Sequence, residues 1–548
     1  MTEPTPTFAL SHDLVEAVCA LSPITATFAG VAGHEHRWDD VSPEGQDARA
    51  AMVADFTHRL AALPPTDDPD DALAQAVLGE YLAERTAFYG SDDRYLDLNN
   101  ITSTFQCFPM AFDAMDAESP EGREAVEARL AALPEAMERY RALLQEGLRR
   151  GAAVSRRQVE AAVAQGRAQA ALYHGTAARA GRPPEAGEAA ALALAALTDW
   201  LERAYLPGAT PADGVGREAY ARAARQHLGK TLDLKETYAW GFEEIRRIDV
   251  AMAELARSIA PGVAVDALAR RLDDPTTGEG LALPEPFLTA MRERQSRALD
   301  QLAGTHFDVP EPIRRLDVKL APAGGKVGAY YMPPSEDFSR PGCIWYAPGT
   351  LATMPLWQQI STAYHEGFPG HHLQIGLQLH RKAHLSRFQR VLAVWPGAAE
   401  GWALYAEQLM LELGYFERPA YAFGMYAAQL MRAARVVVDI GLHLGLTIPG
   451  DFDFHPGEPW SYSLAVAMMH ERSFMPLEQA ESDVVRYLGW PAQAIAYKVG
   501  QRVVLHARQT LVTEGGLPLR TFHQRVLDLG SVGLATLEAS LGLASPER

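Results

Sequence analysis

The segment HEGFPGHH at residues 365–372 constrains the fold most strongly, because a helix that enters it cannot pass through it undisturbed. Pro369 has no N–H to donate to the carbonyl of His365, four residues earlier, and its ring clashes with that carbonyl. Gly370 then allows backbone angles that other residues avoid. The sequence therefore predicts a kink or bulge at Pro369-Gly370 in a helix that carries His365.

The same segment supplies side chains that bind metal ions. On an unbroken helix, the residue six positions after His365 is turned about 120° away from it, and the seventh lies about 10.5 Å along the axis. Neither could share an ion with His365, but a break at Pro369 could bring His371 or His372 back towards it. On spacing alone, a metal site and a capped histidine cluster on the protein surface are equally supported.

A second stretch, Glu400-Gly401-Trp402-Ala403, adds a carboxylate to these imidazoles. A catalytic zinc ion takes three protein ligands and leaves a fourth position for water, whose pKa falls to about 7. Glu366, beside the first histidine, is a carboxylate that can take the proton from that water as it attacks a carbonyl. These residue types together predict a Zn2+-dependent hydrolase, with a metallopeptidase as the favoured activity.

Several longer stretches carry a family resemblance. They are "YHEGFPGHHLQ", "EGWALYAE", "RAARVVVDIGLH" and "RYLGWPAQAIAYKVG", preceded by "PITATFAGVAGHEHRWDDVSPEG" and "GAYYMPPSEDFSRPG". In this order they resemble the bacterial family called domain of unknown function 885, DUF885, over nearly the whole chain. The resemblance implies a largely helical protein related to the gluzincin-type zinc peptidases, which use two histidines and a glutamate.

The resemblance also implies roles for individual residues. It makes His365 and His371 the histidine ligands, with His372 as the alternative to His371, and Glu366 the general base. Glu400 becomes the third ligand, because "EGWA" is similar to the stretch that carries the zinc-binding glutamate of many aminopeptidases.

Glu407 lies seven residues after Glu400, so both can lie on one face of a helix predicted from Ala398 to Leu413. In that position, Glu407 could hold a ligand histidine by its other ring nitrogen. A solvated helix carboxylate is an equally good interpretation.

Two later motifs offer groups that could stabilise the oxyanion or bind substrate. Arg435, Asp439 and His443 recur every four residues and therefore lie on one helix face. We predict that His443 donates a hydrogen bond to the oxyanion. Arg435 is a candidate for holding a substrate carboxylate by a paired hydrogen bond. An internal salt bridge is an equally good interpretation of each residue.

The second of these motifs places Tyr497, Lys498 and Arg502 on one predicted helix. We predict that Tyr497 also stabilises the oxyanion, and that Lys498 and Arg502 contact substrate. For each residue taken singly, an internal salt bridge or a capped helix end explains the sequence as well.

The fold predicted from the sequence is mainly α, a large multi-helical zinc-peptidase-like body with a small β-hairpin or sheet beside a helix-lined cleft. Ser119-Pro120-Glu121 and Ala132-Leu133-Pro134 predict helix boundaries. Prolines near residue 310 predict a boundary between an N-terminal helical region, 1–310, and a catalytic region, 311–548, although one integrated body is also compatible with the sequence.

The strand signal lies within 314–348. "RRLDVKLAP" and "KVGAYYMPP" alternate in character around Ala323-Gly324-Gly325, which predicts a hairpin, and "GCIWYAP" could add a third strand. A substrate peptide could bind along an exposed strand edge, flanked by Tyr330 and Tyr331. Aromatic side chains that cover a small sheet are an equally good interpretation.

The overall charge limits the partners. The chain has 50 basic and 69 acidic residues, a net charge of −19, which disfavours nucleic acid and anionic membranes. It shows no signal peptide and no apolar run of 18 residues, so we expect a cytoplasmic protein. A peptide or small amide is the expected substrate. A metal-dependent amidase acting on a small amino-acid conjugate, and a non-catalytic helical binding protein, are the alternatives.

Overall fold

The computed structural model describes residues 4–169, 171–274, 276, 279–321 and 328–543. Helices make up 67% of the chain and strands 5%, so the predicted mainly helical class with small sheets is confirmed. Within the part of the chain that the structure describes, no helix is long and apolar enough to cross a membrane.

The helices fall into two runs along the chain. The first run is α1 (Pro6–Leu21), α2 (Pro23–Ala29), α3 (Pro43–Ala61), α4 (Pro69–Tyr89), α5 (Thr104–Asp113), α6 (Pro120–Arg150), α7 (Arg156–Gln169), α8 (Leu172–Arg179), α9 (Glu188–Trp200), α10 (Gly216–Leu228), α11 (Leu234–Ile259) and α12 (Val265–Asp273). The second run is α13 (Glu285–Leu302), α14 (Leu356–Glu366), α15 (His371–His380), α16 (Arg387–Val391), α17 (Pro396–Glu412), α18 (Pro419–Leu444), α19 (Tyr462–Ala467), α20 (Leu477–Gly489), α21 (Ala496–Arg508), α22 (Leu519–Asp528) and α23 (Leu534–Ser540).

Helix α6 tests both predicted helix boundaries. Its start is confirmed, because the Ser119 side chain accepts a hydrogen bond from the Gly122 N–H and Pro120 occupies the first helical position. The boundary predicted at Pro134 is wrong, since this proline lies inside α6. Its neighbours Leu130 and Met137 are buried in the core, and we attribute the tolerance of a missing helical hydrogen bond to that burial.

The chain divides into two compact units. Unit 1 comprises 1–219, 386–392 and 485–491, and unit 2 comprises 220–385, 393–484 and 492–548. Unit 1 has an aromatic and aliphatic core to which α5, α6, α7 and α9 contribute. Every residue predicted for the metal site belongs to unit 2.

Among its described residues, unit 2 contains two small sheets. One pairs β1 (Gly280–Ala282) with β5 (Thr353–Pro355). The other contains β2 (Leu316–Leu320), β3 (Gly328–Met332) and β4 (Gly342–Ala347) in the order β2-β4-β3.

The hairpin predicted between β2 and β3 is wrong, because β4 lies between them. β4 is parallel to β2 and antiparallel to β3, and the predicted turn at 323–325 lies outside the described residues. The most deeply buried strand takes the centre: Ile344 and Tyr346 of β4 are fully buried, whereas Tyr330 of β3 is exposed.

Candidate metal centre

The chain breaks between the two histidines as the sequence predicted. α14 ends at Glu366 and α15 begins at His371. A side chain at Gly370 would overlap the backbone carbonyl of His365, so only glycine fits this turn. Trp402 of α17 stabilises the turn by donating its indole N–H to the Pro369 carbonyl at 2.9 Å.

Gln295 of α13 also fixes this turn. Its amide oxygen accepts from the Phe368 N–H at 2.7 Å, and its amide nitrogen donates to the Ala363 carbonyl at 2.6 Å. The side chain is buried, and a substituent on Gly367 would collide with it. The turn therefore has a defined shape.

The turn brings three predicted ligands together. One potential ligand atom from each of His365, His371 and Glu400 lies within 4.8 Å of the other two. Oε2 of Glu400 is 3.2 Å from Nε2 of His365 and 3.5 Å from Nε2 of His371. The two imidazole rings are nearly perpendicular, with centroids 4.8 Å apart.

These three residues fit a divalent cation. Oε2 of Glu400 is buried beside the two histidine rings, and buried Nδ1 of His371 has no hydrogen-bond partner among the described residues, although buried polar atoms are normally paired. Two imidazole nitrogens and one carboxylate oxygen form a donor set that zinc prefers. The His371 and Glu400 side chains keep 12% and 18% of their surface exposed.

A close helix contact places Glu400 there. A Cβ on Gly401 of α17 would lie 2.6 Å from the Cα of Gly500 in α21, so the two backbones touch. Glu400 precedes the first glycine, and Tyr497 lies one helical turn before the second. The contact therefore sets the positions of Glu400 and Tyr497 together.

Glu407 holds the far side of the His365 ring. Its Oε1 lies 2.8 Å from Nδ1 of His365, while its Oε2 accepts from the Ser361 hydroxyl at 2.5 Å. Arg432 of α18 donates to Oε1 at 3.0 Å. Glu407 is fully buried, so its interpretation as a solvated carboxylate is wrong, and its predicted contact with His365 is present.

Burial, neighbouring charges and hydrogen bonds shift the pKa values of the side chains in this cluster. Burial and Arg432 oppose protonation of His365, but hydrogen bonds to Glu400 and Glu407 raise its pKa to about 9. Burial also opposes ionisation of Glu400, yet hydrogen bonds from the two histidines lower its pKa. Burial raises the pKa of Glu366, against the opposite influence of both histidines. Glu366 is thus the carboxyl group of the site with the greatest affinity for a proton.

Tyr497 borders the cluster. Its ring is nearly parallel to the His365 ring, with centroids 6.5 Å apart. The guanidinium carbons of Arg432 and Arg435 lie 5.7 and 5.2 Å from its centroid. Arg435 also forms an ion pair with Asp483 at 3.2 Å. The internal salt bridge that the sequence analysis offered as an alternative role for Arg435 is therefore present.

His443 lies in a different buried group. Its Nε2 is 3.5 Å from Asp439 on the same helix, and its ring packs against Tyr220 at 5.3 Å. Asp439 accepts from the Tyr220 hydroxyl at 2.7 Å and from the Ala492 N–H at 2.9 Å. The His443 side chain is fully buried.

Lys498 and Arg502 are bound to other partners. Buried Lys498 donates to Glu244 at 2.6 Å and to two glutamine side chains. Arg502 pairs with Glu236 at 2.6 Å on an exposed surface. None of these ion pairs involves a residue of the cluster.

The neighbouring His372 points away from the cluster. Its Nε2 lies 2.7 Å from the Ile313 carbonyl, and its Nδ1 lies 3.0 Å from the Tyr331 hydroxyl. Tyr331 thereby joins β3 to the first turn of α15. Tyr330 faces the other side of the sheet, where it stacks on Trp345 with centroids 6.4 Å apart.

Arg432 and Gln295 were missed by the sequence analysis. Arg432 opens the motif "RAARVVVDIGLH" and lies three residues before Arg435, so helical spacing could have indicated it. No local pattern marks Gln295, which acts across 68 residues of chain on the Ala363 carbonyl.

The family assignment agrees with this architecture. The family described as bacterial protein of unknown function, DUF885, matches residues 23–541. The chain belongs to the DUF885 family. No curated protein is significantly similar to this DUF885 chain.

Two solved structures share the DUF885 chain's fold. One, from Colwellia psychrerythraea, is described as a "putative lipoprotein"; it is 20% identical, with 98% of each chain covered and a TM-score of 0.85. The other, from Shewanella oneidensis, is described as a "putative lipoprotein of unknown function"; it is 17% identical, with 97% of this chain and 99% of that chain covered and a TM-score of 0.73. At these identities the likeness shows the fold alone.

Proposed function

We propose that the protein is a zinc-dependent hydrolase, a metallopeptidase related to the gluzincin type that cleaves short peptides. The observation that carries the proposal is the convergence of His365, His371 and Glu400 within 4.8 Å, with Glu366 next to the first ligand. Three protein ligands are typical of catalytic zinc, whereas structural zinc has four.

In this mechanism, His365, His371 and Glu400 would hold the ion. When bound, zinc supplies a positive charge that polarises the substrate carbonyl and makes water more acidic. Glu366 takes the proton of the attacking water on its carboxylate and passes it to the departing amine. Its raised pKa brings it closer to the range in which a general base works at neutral pH.

Two predicted residues remain candidates for the oxyanion. The Tyr497 ring lies alongside His365, which supports Tyr497 over His443 as the donor to the oxyanion. His443 keeps the role only if its buried group contacts bound substrate.

The substrate peptide would bind along β3, at one side of the proposed active-site cleft. β3 is an edge strand, paired with β4 on one side, and Tyr331 ties it to the helix that carries His371. An edge strand offers main-chain hydrogen bonds to an extended peptide whatever its side chains. Tyr330 would flank that peptide.

Metal analysis and peptide cleavage test this proposal together. We expect one zinc per chain, lost in His365→Ala, His371→Ala and Glu400→Ala. Glu366→Gln should keep its zinc and lose turnover of a peptide library, while Glu478→Gln, at an exposed position of α20, should change neither. Full activity of Glu366→Gln would refute the assigned base.

Substrate competition separates the alternatives. Faster cleavage of acylated amino acids than of peptides would favour the small-molecule amidase. Zinc binding without any hydrolysis would favour the binding protein. Cytoplasmic location stays a prediction, which cell fractionation tests.

A further inference from the structure

Ala492, in the turn that precedes α21, has a backbone conformation that residues other than glycine rarely adopt. Its φ is 64°, in the left-handed region, where the Cβ comes too close to the following carbonyl oxygen. Ala492 is also fully buried. A strained conformation of this kind persists only when the surrounding structure holds it, so the contacts of Ala492 identify its support.

Asp439 of α18 supports this turn. One oxygen of its carboxylate, Oδ2, accepts hydrogen bonds from the Ala492 N–H at 2.9 Å and from the Tyr220 hydroxyl at 2.7 Å. The Asp439 side chain is fully buried, and its Oδ1 lies 3.5 Å from Nε2 of His443. Because buried hydrogen bonds are costly to lose, Asp439 holds the Ala492 backbone in place.

The turn at Ala492 leads directly to Tyr497. α21 begins at Ala496, so Tyr497 is its second residue and follows Ala492 by five positions. All four residues between them, 493–496, are buried. Since close-packed interiors transmit strain, a change of conformation at Ala492 must shift the first turn of α21 and, with it, the Tyr497 ring.

α18 also contacts Tyr497 directly. Arg435 lies one helical turn before Asp439 on α18, and its guanidinium carbon is 5.2 Å from the centroid of the Tyr497 ring. The Tyr497 ring stacks alongside the His365 ring, with centroids 6.5 Å apart. The same helix thus holds the turn before Tyr497 and borders its ring, beside a proposed metal ligand.

We propose that Asp439 is a positioning residue for Tyr497. By holding Ala492 in the left-handed conformation, Asp439 sets the start of α21 and the direction in which the phenol of Tyr497 points. The inference rests on the proposed hydrolase function, in which Tyr497 donates a hydrogen bond to the oxyanion. A displacement of about 1 Å at a reacting group can lower the rate about a hundredfold.

Asp439→Ala tests this role. It removes the acceptor, so we expect kcat to fall about tenfold to a hundredfold, with KM and zinc content unchanged. Asp439→Asn should keep most of kcat, because one amide oxygen can accept both hydrogen bonds that Oδ2 accepts. Tyr220→Phe is the matched control, since it removes the other hydrogen bond to the same oxygen and should leave kcat near that of the wild type.

The comparison of these variants decides the inference. A wild-type kcat in Asp439→Ala would overturn it while leaving the hydrolase in place. It would also be overturned if Asp439→Asn or Tyr220→Phe lost as much kcat as Asp439→Ala.

Ala492→Gly separates positioning from a general loss of structure. Glycine adopts positive φ without strain, so adding Ala492→Gly to Asp439→Ala should restore much of the lost kcat. No restoration would contradict the inference.

Tyr497→Phe provides a second background for Asp439→Ala. This substitution should itself lower kcat, and Asp439→Ala should then lower it no further, because the donor that Asp439 positions is gone. An undiminished effect of Asp439→Ala, or a wild-type kcat in Tyr497→Phe, would overturn the inference.

Asp439→Cys repeats the test if Asp439→Ala does not fold, because cysteine is similar in size to aspartate and only a weak acceptor. Its kcat is judged against the wild type in the same way. Absence of Glu366-dependent hydrolysis in the wild type would instead refute the proposed function, and the inference with it.

Discussion

Glu407 and His365 form a buried pair in which Oε1 of the carboxylate lies 2.8 Å from Nδ1 of the imidazole. An ionised carboxylate only accepts hydrogen bonds, so Nδ1 carries the proton and Nε2 is the nitrogen available to a metal. Hydrogen bonding of this kind orients the ring and raises its basicity as a ligand.

Glu407→Gln should therefore weaken zinc binding by about 10–100-fold. The glutamine amide oxygen can still accept a hydrogen bond from His365. The negative charge of the Glu407 carboxylate is lost, however, so the Arg432 guanidinium loses its ion-pair partner. The dissociation constant for zinc, measured by competition with a chelator, checks the prediction. Glu478→Gln serves as the control, and equal zinc affinity of Glu407→Gln and wild type would show that Glu407 does not tune the site.

His371 and His372 should differ in their contribution to the stabilisation of the protein by zinc. His371→Ala should abolish the rise in melting temperature that zinc causes, a stabilisation of about 2.7 kcal/mol at one hundred times Kd. His372→Ala should keep that rise, because His372 is bonded to Tyr331 and Ile313.

Without zinc, His372→Ala should be less stable to unfolding than His371→Ala. His372→Ala leaves the Tyr331 hydroxyl and the Ile313 carbonyl without their partner, which costs about 1–3 kcal/mol for each buried group. Thermal unfolding with and without zinc measures both effects. Loss of the zinc-induced rise in His372→Ala alone would reverse the ligand assignment.

The break after the helix that carries His365 could be predicted because its cause is local. Proline and glycine act on the backbone within four residues, and the structure ends α14 at Glu366 accordingly. The spacing of the histidines does not show whether His371 or His372 lies beside His365. That choice depends on where the Ile313 carbonyl and the Tyr331 hydroxyl lie. Both come from distant parts of the chain.

The sheet order could not be predicted for the same reason. β2 and β3 are neighbours in sequence, yet β4 separates them through a parallel pairing with β2. Parallel pairing needs a long connection and leaves no turn signature. Likewise, no sequence pattern near Lys498 predicts its pairing with Glu244, which lies 254 residues away in the chain.

Gly401→Ala should disturb both the fold and the metal centre. Its Cβ would overlap the backbone of Gly500, so α17 and α21 must separate. We expect a loss of about 1–3 kcal/mol in the free energy of unfolding, together with weaker zinc binding because Glu400 moves with α17.

Gly175→Ala is the matched control for this substitution. Gly175 lies in α8, and a Cβ there meets no atom within 4 Å. Alanine should leave zinc binding unchanged and stabilise the helix by about 0.5–1 kcal/mol. Chemical denaturation and zinc titration of both variants give the comparison, and an equally stable Gly401→Ala would show that the helices do not need this contact.

His523 should make the protein less stable in mild acid. The ring accepts from the Tyr405 hydroxyl at 2.7 Å and stacks on Phe307, and burial lowers its pKa to about 3. In the unfolded chain the pKa is about 6.5. Between pH 6.5 and 3 the unfolded state therefore binds a proton that the folded state does not, and stability falls as the pH falls.

His523→Gln removes this proton uptake while leaving an acceptor for Tyr405. At pH 5 the protonation of His523 in the unfolded state costs the wild type about 2 kcal/mol relative to pH 7.5. The stability of the variant relative to wild type should thus improve by about that amount between pH 7.5 and pH 5. Denaturant unfolding of both proteins at the two pH values measures this difference. A constant gap would mean that the folded protein takes up a proton at His523 as readily as the unfolded chain does.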